Sequence, residues 1–284
     1  MRLTFCGVRG STPAVGAEFL RYGGHTSCLA ISNGDTPPTL LIDGGTGIRN
    51  VTDLLQGAAF DGSVLLGHLH WDHTQGLPFF AGGGAPGARL DLYLPAQELP
   101  ALELLSRAVG PPHFPVTSDI LGAGWTFNDL AEGRHVIEGF AVLAREIPHK
   151  GGRTFGYRVS DGNASIAYLS DHSPTSLGPG LDGLGELHEA ALELAHGVDV
   201  LIHDSQHRAD EFPAVDYLGH SSPEYGVALA AAAGAKTLVL FHHSPTRSDT
   251  ALDQILTQTR HRAHREVPAL TVIAATQGLV LDTR

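Results

Sequence analysis

Three imidazoles and one carboxylate fall within the six residues His68-Leu69-His70-Trp71-Asp72-His73. Neutral imidazole nitrogens and carboxylate oxygens are the donors that zinc and comparable divalent ions accept. The hexapeptide follows the apolar run Val64-Leu65-Leu66, which reads as a buried strand. Alternation along a strand sends His68 and His70 to the same side of its C-terminal end. The turn after them lets Asp72 and His73 fold back toward the same space. Four such groups at one strand end point to two neighbouring metal ions. The plain alternative, a histidine-rich surface turn, sits badly next to a hydrophobic strand.

The same arrangement recurs along the chain, with a buried strand ending in His or Asp. The ends fall at Asp43, His68, His149, Asp171, His203-Asp204 and His242. Strand ends are where α/β architectures place chemistry, so six such ends point to one shared site. A carboxylate at the end of Leu40-Leu41-Ile42 is costly unless paired. Asp43 is therefore expected to receive the second ring N–H of a metal-bound histidine, to cap a helix over 48–55, or to do both. The turn Gly7-Val8-Arg9-Gly10-Ser11-Thr12-Pro13 either offers backbone N–H groups and Arg9 to a ligand or is a plain loop. His243 competes with His242, because alternation lets only one of two adjacent residues face the metals. The other histidines, among them His25, His113, His172, His188, His207, His261 and His264, read as surface or packing residues.

The elements that would position these groups follow from hydrophobic periodicity. Strands are expected at 3–8, 28–32, 40–42, 64–66, 90–94, 135–147, 153–159, 165–169, 198–202, 237–240, 270–274 and 278–281. Helices are expected at 48–55, 101–109, 186–195, from Ser222 to Ala233, and at 250–264. Residues 82–87 read as a flexible loop, 111–115 as an aromatic loop that either roofs a pocket or simply packs, and 205–219 as a long polar loop. The order strands-helix-strands-helix occurs twice, as expected of two similar halves closing on each other within a single domain over 1–284.

Composition narrows the function. The chain has 284 residues, 42% hydrophobic and 17% charged, as in a globular protein with ample core. No apolar run approaches a bilayer span. The first residues have no signal-peptide layout, and the two cysteines, Cys6 and Cys28, lie in strand-like contexts. A cytoplasmic protein with buried thiols is expected. The formal net charge is -12, and Lys150 and Lys236 are the only lysines. A protein that tracks a phosphate backbone normally shows a basic face, so long nucleic acids are not the expected partners.

The set His68, His70, Asp72 and His73, with the later His149, Asp171 and His242, resembles the signature of the metallo-β-lactamase superfamily. The resemblance covers nearly the whole chain. It implies an α+β fold, a four-layer αβ/βα sandwich with a dinuclear metal site on one edge. By the same resemblance His68, His70 and His149 hold one ion, Asp72, His73 and His242 hold the other, and Asp171 bridges them. Zinc is the expected ion, with manganese or iron as alternatives. Within the superfamily the chain looks closest to the ribonuclease Z and cyclic-nucleotide phosphodiesterase branch. The stretches that carry this are Gly7 to Pro13, Asp43-Gly44-Gly45-Thr46-Gly47, His203-Asp204 with Gly219-His220-Ser221-Ser222, and Leu240-Phe241-His242-His243-Ser244. In that branch the histidine matching His220 contacts the scissile phosphate, supported by the acid matching Asp204. Two departures weigh against tRNA processing. No basic clamping arm is present, and Asp204 stands where ribonuclease Z usually has Glu. Neither cysteine lies where first-type β-lactamases need a ligand.

The expected function is hydrolysis of a small or cyclic phosphodiester by a metal-bridging hydroxide, with Asp72, His220 and Asp204 as catalytic groups. Two alternatives stand beside it: hydrolysis of a lactone, thioester or β-lactam carbonyl, and a non-catalytic metal-dependent sensor or interaction module. The expected partner is a small-molecule phosphodiester, without a membrane, and a homodimer is left open.

Overall fold

The computed structural model describes residues 1–112, 114–115, 124–180 and 182–283. Among these residues, fourteen strands form two seven-stranded sheets. The first sheet holds β1 (Arg2–Gly7), β2 (Cys28–Ser32), β3 (Leu40–Ile42), β4 (Asp61–Leu65), β5 (Arg89–Pro95) and β6 (Trp125–Leu130). The second holds β7 (Gly133–Ile137), β8 (Phe140–Glu146), β9 (Phe155–Ser160), β10 (Ser165–Leu169), β11 (Val200–Asp204), β12 (Thr237–Phe241) and β13 (Thr271–Ala274). The last strand, β14 (Val280–Asp282), returns to the first sheet and pairs antiparallel with β1. The orders are β14-β1-β2-β3-β4-β5-β6 and β13-β12-β11-β10-β9-β8-β7.

Helices cover the outer faces. Four short or medium segments, α1 (Val51–Leu54), α2 (Trp71–Thr74), α3 (Ala81–Gly84) and α4 (Ala101–Val109), follow strands of the first sheet. The second half supplies α5 (Glu189–Ala195), α6 (Phe212–Val215), α7 (Pro223–Ala233) and α8 (Asp249–Glu266). Three apolar clusters fill the layers. The central one joins Phe5, Leu29, Ile31 and Ile42 of the first sheet to Phe155, Val159, Ile166, Ile202 and Val239 of the second. The outer two pack α5, α7 and α8 on one sheet and α1 and α4 on the other. This is the expected α+β sandwich, in four layers. Among the described residues, no helix is long and apolar enough to cross a membrane.

The strand directions explain the site. β3 and β4 run parallel, as do β10, β11 and β12, and each of these strands is wholly or almost wholly buried. Parallel neighbours end on the same side, so Asp43 and His68 leave one sheet next to the point where Asp171, Asp204 and His242 leave the other. The contact between sheets is direct there, since the Phe155 N–H donates to the Gly67 carbonyl at 2.8 Å.

Several local expectations change. Residues 135–147 are not one strand but the hairpin β7–β8, turned at Glu138 and Gly139, both with positive φ (50° and 81°). β6 was not foreseen. The glycine-rich stretch expected as a loop begins with the turn α3. Residues 209–218 contain short helical turns within the expected polar loop. The helix expected at 48–55 is a 3-10 segment, Thr46–Asn50, running into α1. His113 of the aromatic loop lies outside the described residues.

Candidate metal centre

The donors converge. Ligand atoms of His68, His70, His149 and Asp171 lie within 4.8 Å of one another, and so do those of Asp72, His73, Asp171 and His242. Asp171 belongs to both sets. A third set joins Asp204, His220 and His242. His68 and His70 do not alternate along a strand, because β4 ends at Leu65; they sit on the extended segment after it. His70 stands just before α2, whose first turn carries Asp72 and His73.

Hydrogen bonds on the far side of each ring set the tautomers. His73 donates from Nδ1 to Asp43 at 2.6 Å, and His149 from Nδ1 to the Gly219 carbonyl at 2.6 Å. Each ring then presents an Nε2 lone pair to the centre. Asp43 is fixed in turn by the Gly67 N–H (2.8 Å) and the Tyr168 hydroxyl (2.6 Å). It is thus the orienting acid; it caps no helix, and Gly45 stands at the start of the 3-10 segment. Asp72 accepts the Ser11 N–H at 2.6 Å and lies 3.1 Å from His242 Nε2. Asp171 lies 2.9 Å from His73 Nε2 and 3.2 Å from His242 Nε2.

The rivalry between adjacent histidines has a geometric answer. His242 faces the donors, while His243 turns away and donates to the Ala275 carbonyl at 2.9 Å. The Gly7–Pro13 turn contributes by its backbone, not by Arg9. That guanidinium is fully buried and donates to the carbonyls of Gly23, Ser244 and Arg247. Gly10 has no room for a side chain, since a Cβ there would stand 2.3 Å from the His242 ring. Ser11, Asp43, Asp171 and His242 all have φ between 56° and 64°, four of the six described non-glycine residues with positive φ.

The buried groups fit divalent cations. His68 Nε2 has no hydrogen-bond partner although it is buried, and His73 Nε2 faces the carboxylates of Asp171 and Asp72 at 2.9 and 3.3 Å. His149 Nε2 and His70 Nδ1 face each other at 3.3 Å. Burial holds His68 well below the usual imidazole range, keeping it an uncharged donor. Burial also opposes charge on His73, yet Asp43, Asp171 and Asp72 outweigh it and raise that ring well above its ordinary value. His242 is pushed up to about 9, Asp171 overcoming burial. Asp171 itself is held well below the carboxylate range, its surrounding histidines overcoming burial. The pocket therefore stabilises positive charge, which divalent ions supply.

Next to the donors, His220 donates from Nδ1 to Asp204 at 2.9 Å, and Asp204 also accepts the Gln206 N–H at 2.9 Å. His220 and Asp72 line one cavity of about 360 Å³ together with Ser11, His70 and Asp171.

Residues 39–243 match the β-lactamase superfamily domain. The chain belongs to the metallo-β-lactamase superfamily. This metallo-β-lactamase chain is 29% identical over 249 residues to the ribonuclease Z of Limosilactobacillus reuteri (strain DSM 20016), covering 70% of this chain and 75% of that one. It shares its fold with YhfI, a metallo-β-lactamase fold protein from Bacillus subtilis (TM-score 0.69, 18% identity, 99% of both chains). It also shares it with a diphosphatase of the PhnP family (TM-score 0.66, 21% identity, 100% of this chain and 98% of that one). Divalent metal ions are the cofactors that membership implies.

Sequence reasoning missed parts of this metallo-β-lactamase site. Tyr168 lies mid-strand in β10, and nothing in Ser-Ile-Ala-Tyr-Leu marks its hydroxyl as a support for Asp43. His172, expected as a surface or packing residue, does pack, buried against His203 with Nδ1 to Nε2 at 3.0 Å. His203 was grouped with the strand-end donors, but alternation sends it to the face opposite Asp204. Trp71, between two donors, is 76% exposed and forms a wall of the cavity.

Proposed function

We propose that this chain is a dinuclear metal-dependent phosphodiesterase acting on a small phosphodiester. The observation that carries the reading is the pair of donor sets joined through Asp171, with the His220–Asp204 couple beside them. His68, His70, His149 and Asp171 would hold one ion and Asp72, His73, Asp171 and His242 the other, zinc being suited to this nitrogen-rich set. Such ions, when bound, acidify water and screen the charge of a phosphate.

The chain's own groups do the rest. Asp204 fixes the His220 ring, and the Nε2 end of that ring is the one left to meet substrate. Protonated at Nε2, His220 hands its proton to the departing oxygen or donates to a phosphoryl oxygen as charge develops there. Asp72 is steadied by the Ser11 N–H and is placed to take the proton of the attacking water. Burial of the donors keeps bulk water from competing with these interactions. The acidic balance of the chain, -12 with two lysines, supports a small substrate over a long nucleic acid.

The test joins metal analysis to turnover of bis-p-nitrophenyl phosphate. His220→Ala is expected to keep its metal and lose about 100- to 1,000-fold in kcat. Unchanged turnover with metal retained removes His220 from the chemistry. Activity on a lactone panel with none on phosphodiesters replaces the reading with carbonyl hydrolysis, and a metal-loaded protein silent on every ester favours a sensor.

A further inference from the structure

A cavity larger than the one lined by the donors lies outside it. It lies beside them, about 750 Å³ in volume, and Trp71 lines both. Thr74, on the same short helix as Asp72 and His73, also lines it, so its contents lie within one helical turn of the metal donors. Two more aromatic rings, Phe79 and Phe114, meet edge to face there with centroids 5.8 Å apart. Arg49 and Arg107 complete the wall. Arg107 shares its charge with Glu103 at 2.8 Å. The exposed Arg49 guanidinium pairs with no carboxylate among the described residues.

This combination selects its ligand. An exposed indole and two phenyl rings line a space wide enough for a planar ring, and stacking on aromatic side chains tolerates any base. Aromatic walls alone also attract quaternary ammonium groups, but the Arg49 guanidinium repels a cation. It favours an anion instead, and Arg suits the planar recognition of phosphate. The volume lies within the range of small-molecule sites and fits a nucleoside with a further phosphate.

We propose that the cavity bounded by Trp71, Phe79, Phe114, Arg49 and Arg107 takes the nucleobase and a second phosphate of a nucleotide phosphodiester whose scissile phosphate lies at the metal centre. The proposal rests on the phosphodiesterase reading and narrows its substrate class. The nucleobase stacks on Trp71, and Arg49 takes the second phosphate.

Three substrates release the same p-nitrophenolate when water adds to phosphorus and the bond to the phenolic oxygen breaks. They are methyl p-nitrophenyl phosphate, thymidine 5′-(p-nitrophenyl phosphate), and the latter with a 3′-phosphate. In the metal-loaded protein kcat/KM is expected to rise about 10-fold on adding the nucleoside and again on adding the 3′-phosphate. The first ratio is expected to collapse toward one in Trp71→Ala and in Phe114→Ala, and the second in Arg49→Gln. Phe114 carries no metal donor on its element and serves where Trp71→Ala loses metal. A second readout needs no turnover: thymidine 3′,5′-bisphosphate should quench tryptophan emission, and Trp71→Phe should abolish the quench.

The failures are distinguishable. Equal kcat/KM for all three esters in the wild type overturns the cavity proposal and leaves the phosphodiesterase reading standing. Absence of quench overturns it as well. A clear quench with no ester hydrolysed sinks the phosphodiesterase reading while supporting the ligand class of the cavity.

Discussion

His68, His70 and His149 form one side of the centre, Asp72, His73 and His242 the other, and the protein holds the two sides differently. On the first side His70 is partly exposed, and the Gly219 carbonyl braces the His149 ring from behind. On the second side every donor is buried. Asp43 braces His73, Tyr168 and the Gly67 N–H brace Asp43, and the Ser11 N–H braces Asp72. The first side is all imidazole and open at His70; the second adds the Asp72 carboxylate, is deep and is supported by a chain of hydrogen bonds. Supports behind a ligand set its orientation and basicity, so the deep ion should bind more tightly and exchange more slowly than the open one.

Replacing the shared carboxylate tests the contrast most severely. Asp171→Ala should strip both ions, measured by elemental analysis, and reduce turnover by about 1,000-fold or more. Asp43→Asn should spare the open ion and weaken the deep one by about 10- to 100-fold in a competitive chelator titration. Equal loss of both ions would erase the distinction between the sides. Acid probes the wall behind the deep side. Burial pushes His203 down to about 4, against the partial opposition of Asp204. Between about pH 6.5 and 4 the unfolded chain takes up a proton that the folded one refuses, so stability falls as pH falls. The slope from this ring is about 1.4 kcal/mol per pH unit. Urea midpoints from pH 7 to 4.5 should show it, and His203→Asn should flatten it. The smallest expected effect is Tyr168→Phe, which removes one hydrogen bond to Asp43 at about 1 kcal/mol. It should lower the melting temperature slightly and loosen only the deep ion.

The same two sides differ in how readable they are from sequence. Residues 68–73 announce themselves because their donors are neighbours in the chain, and the spacing survives any uncertainty about folding. His149, Asp171 and His242 are readable only as ends of apolar runs, and the parallel pairing of β10, β11 and β12 converts those ends into neighbours. Supports are harder. The Ser11 contact uses a backbone N–H that any residue type carries, and the Tyr168 hydroxyl sits in an apolar strand like many tyrosines. The hairpin at Glu138-Gly139 escaped because apolar residues, Val136-Ile137 and Phe140-Ala141, flank the two-residue turn directly on both sides. β6 escaped because Trp-Thr-Phe-Asn-Asp-Leu mixes polar and apolar residues on an edge strand with one neighbour.

The left-handed backbone at Ser11, Asp43, Asp171 and His242 carries a lasting implication. Each such residue sits where glycine would rest more comfortably, at a cost of about 1 kcal/mol. Four of these around one hollow mean that folding alone never favoured the present side chains there. A lineage that abandoned cation chemistry would therefore be expected to drift toward glycine at these places first, gaining stability as it fell silent.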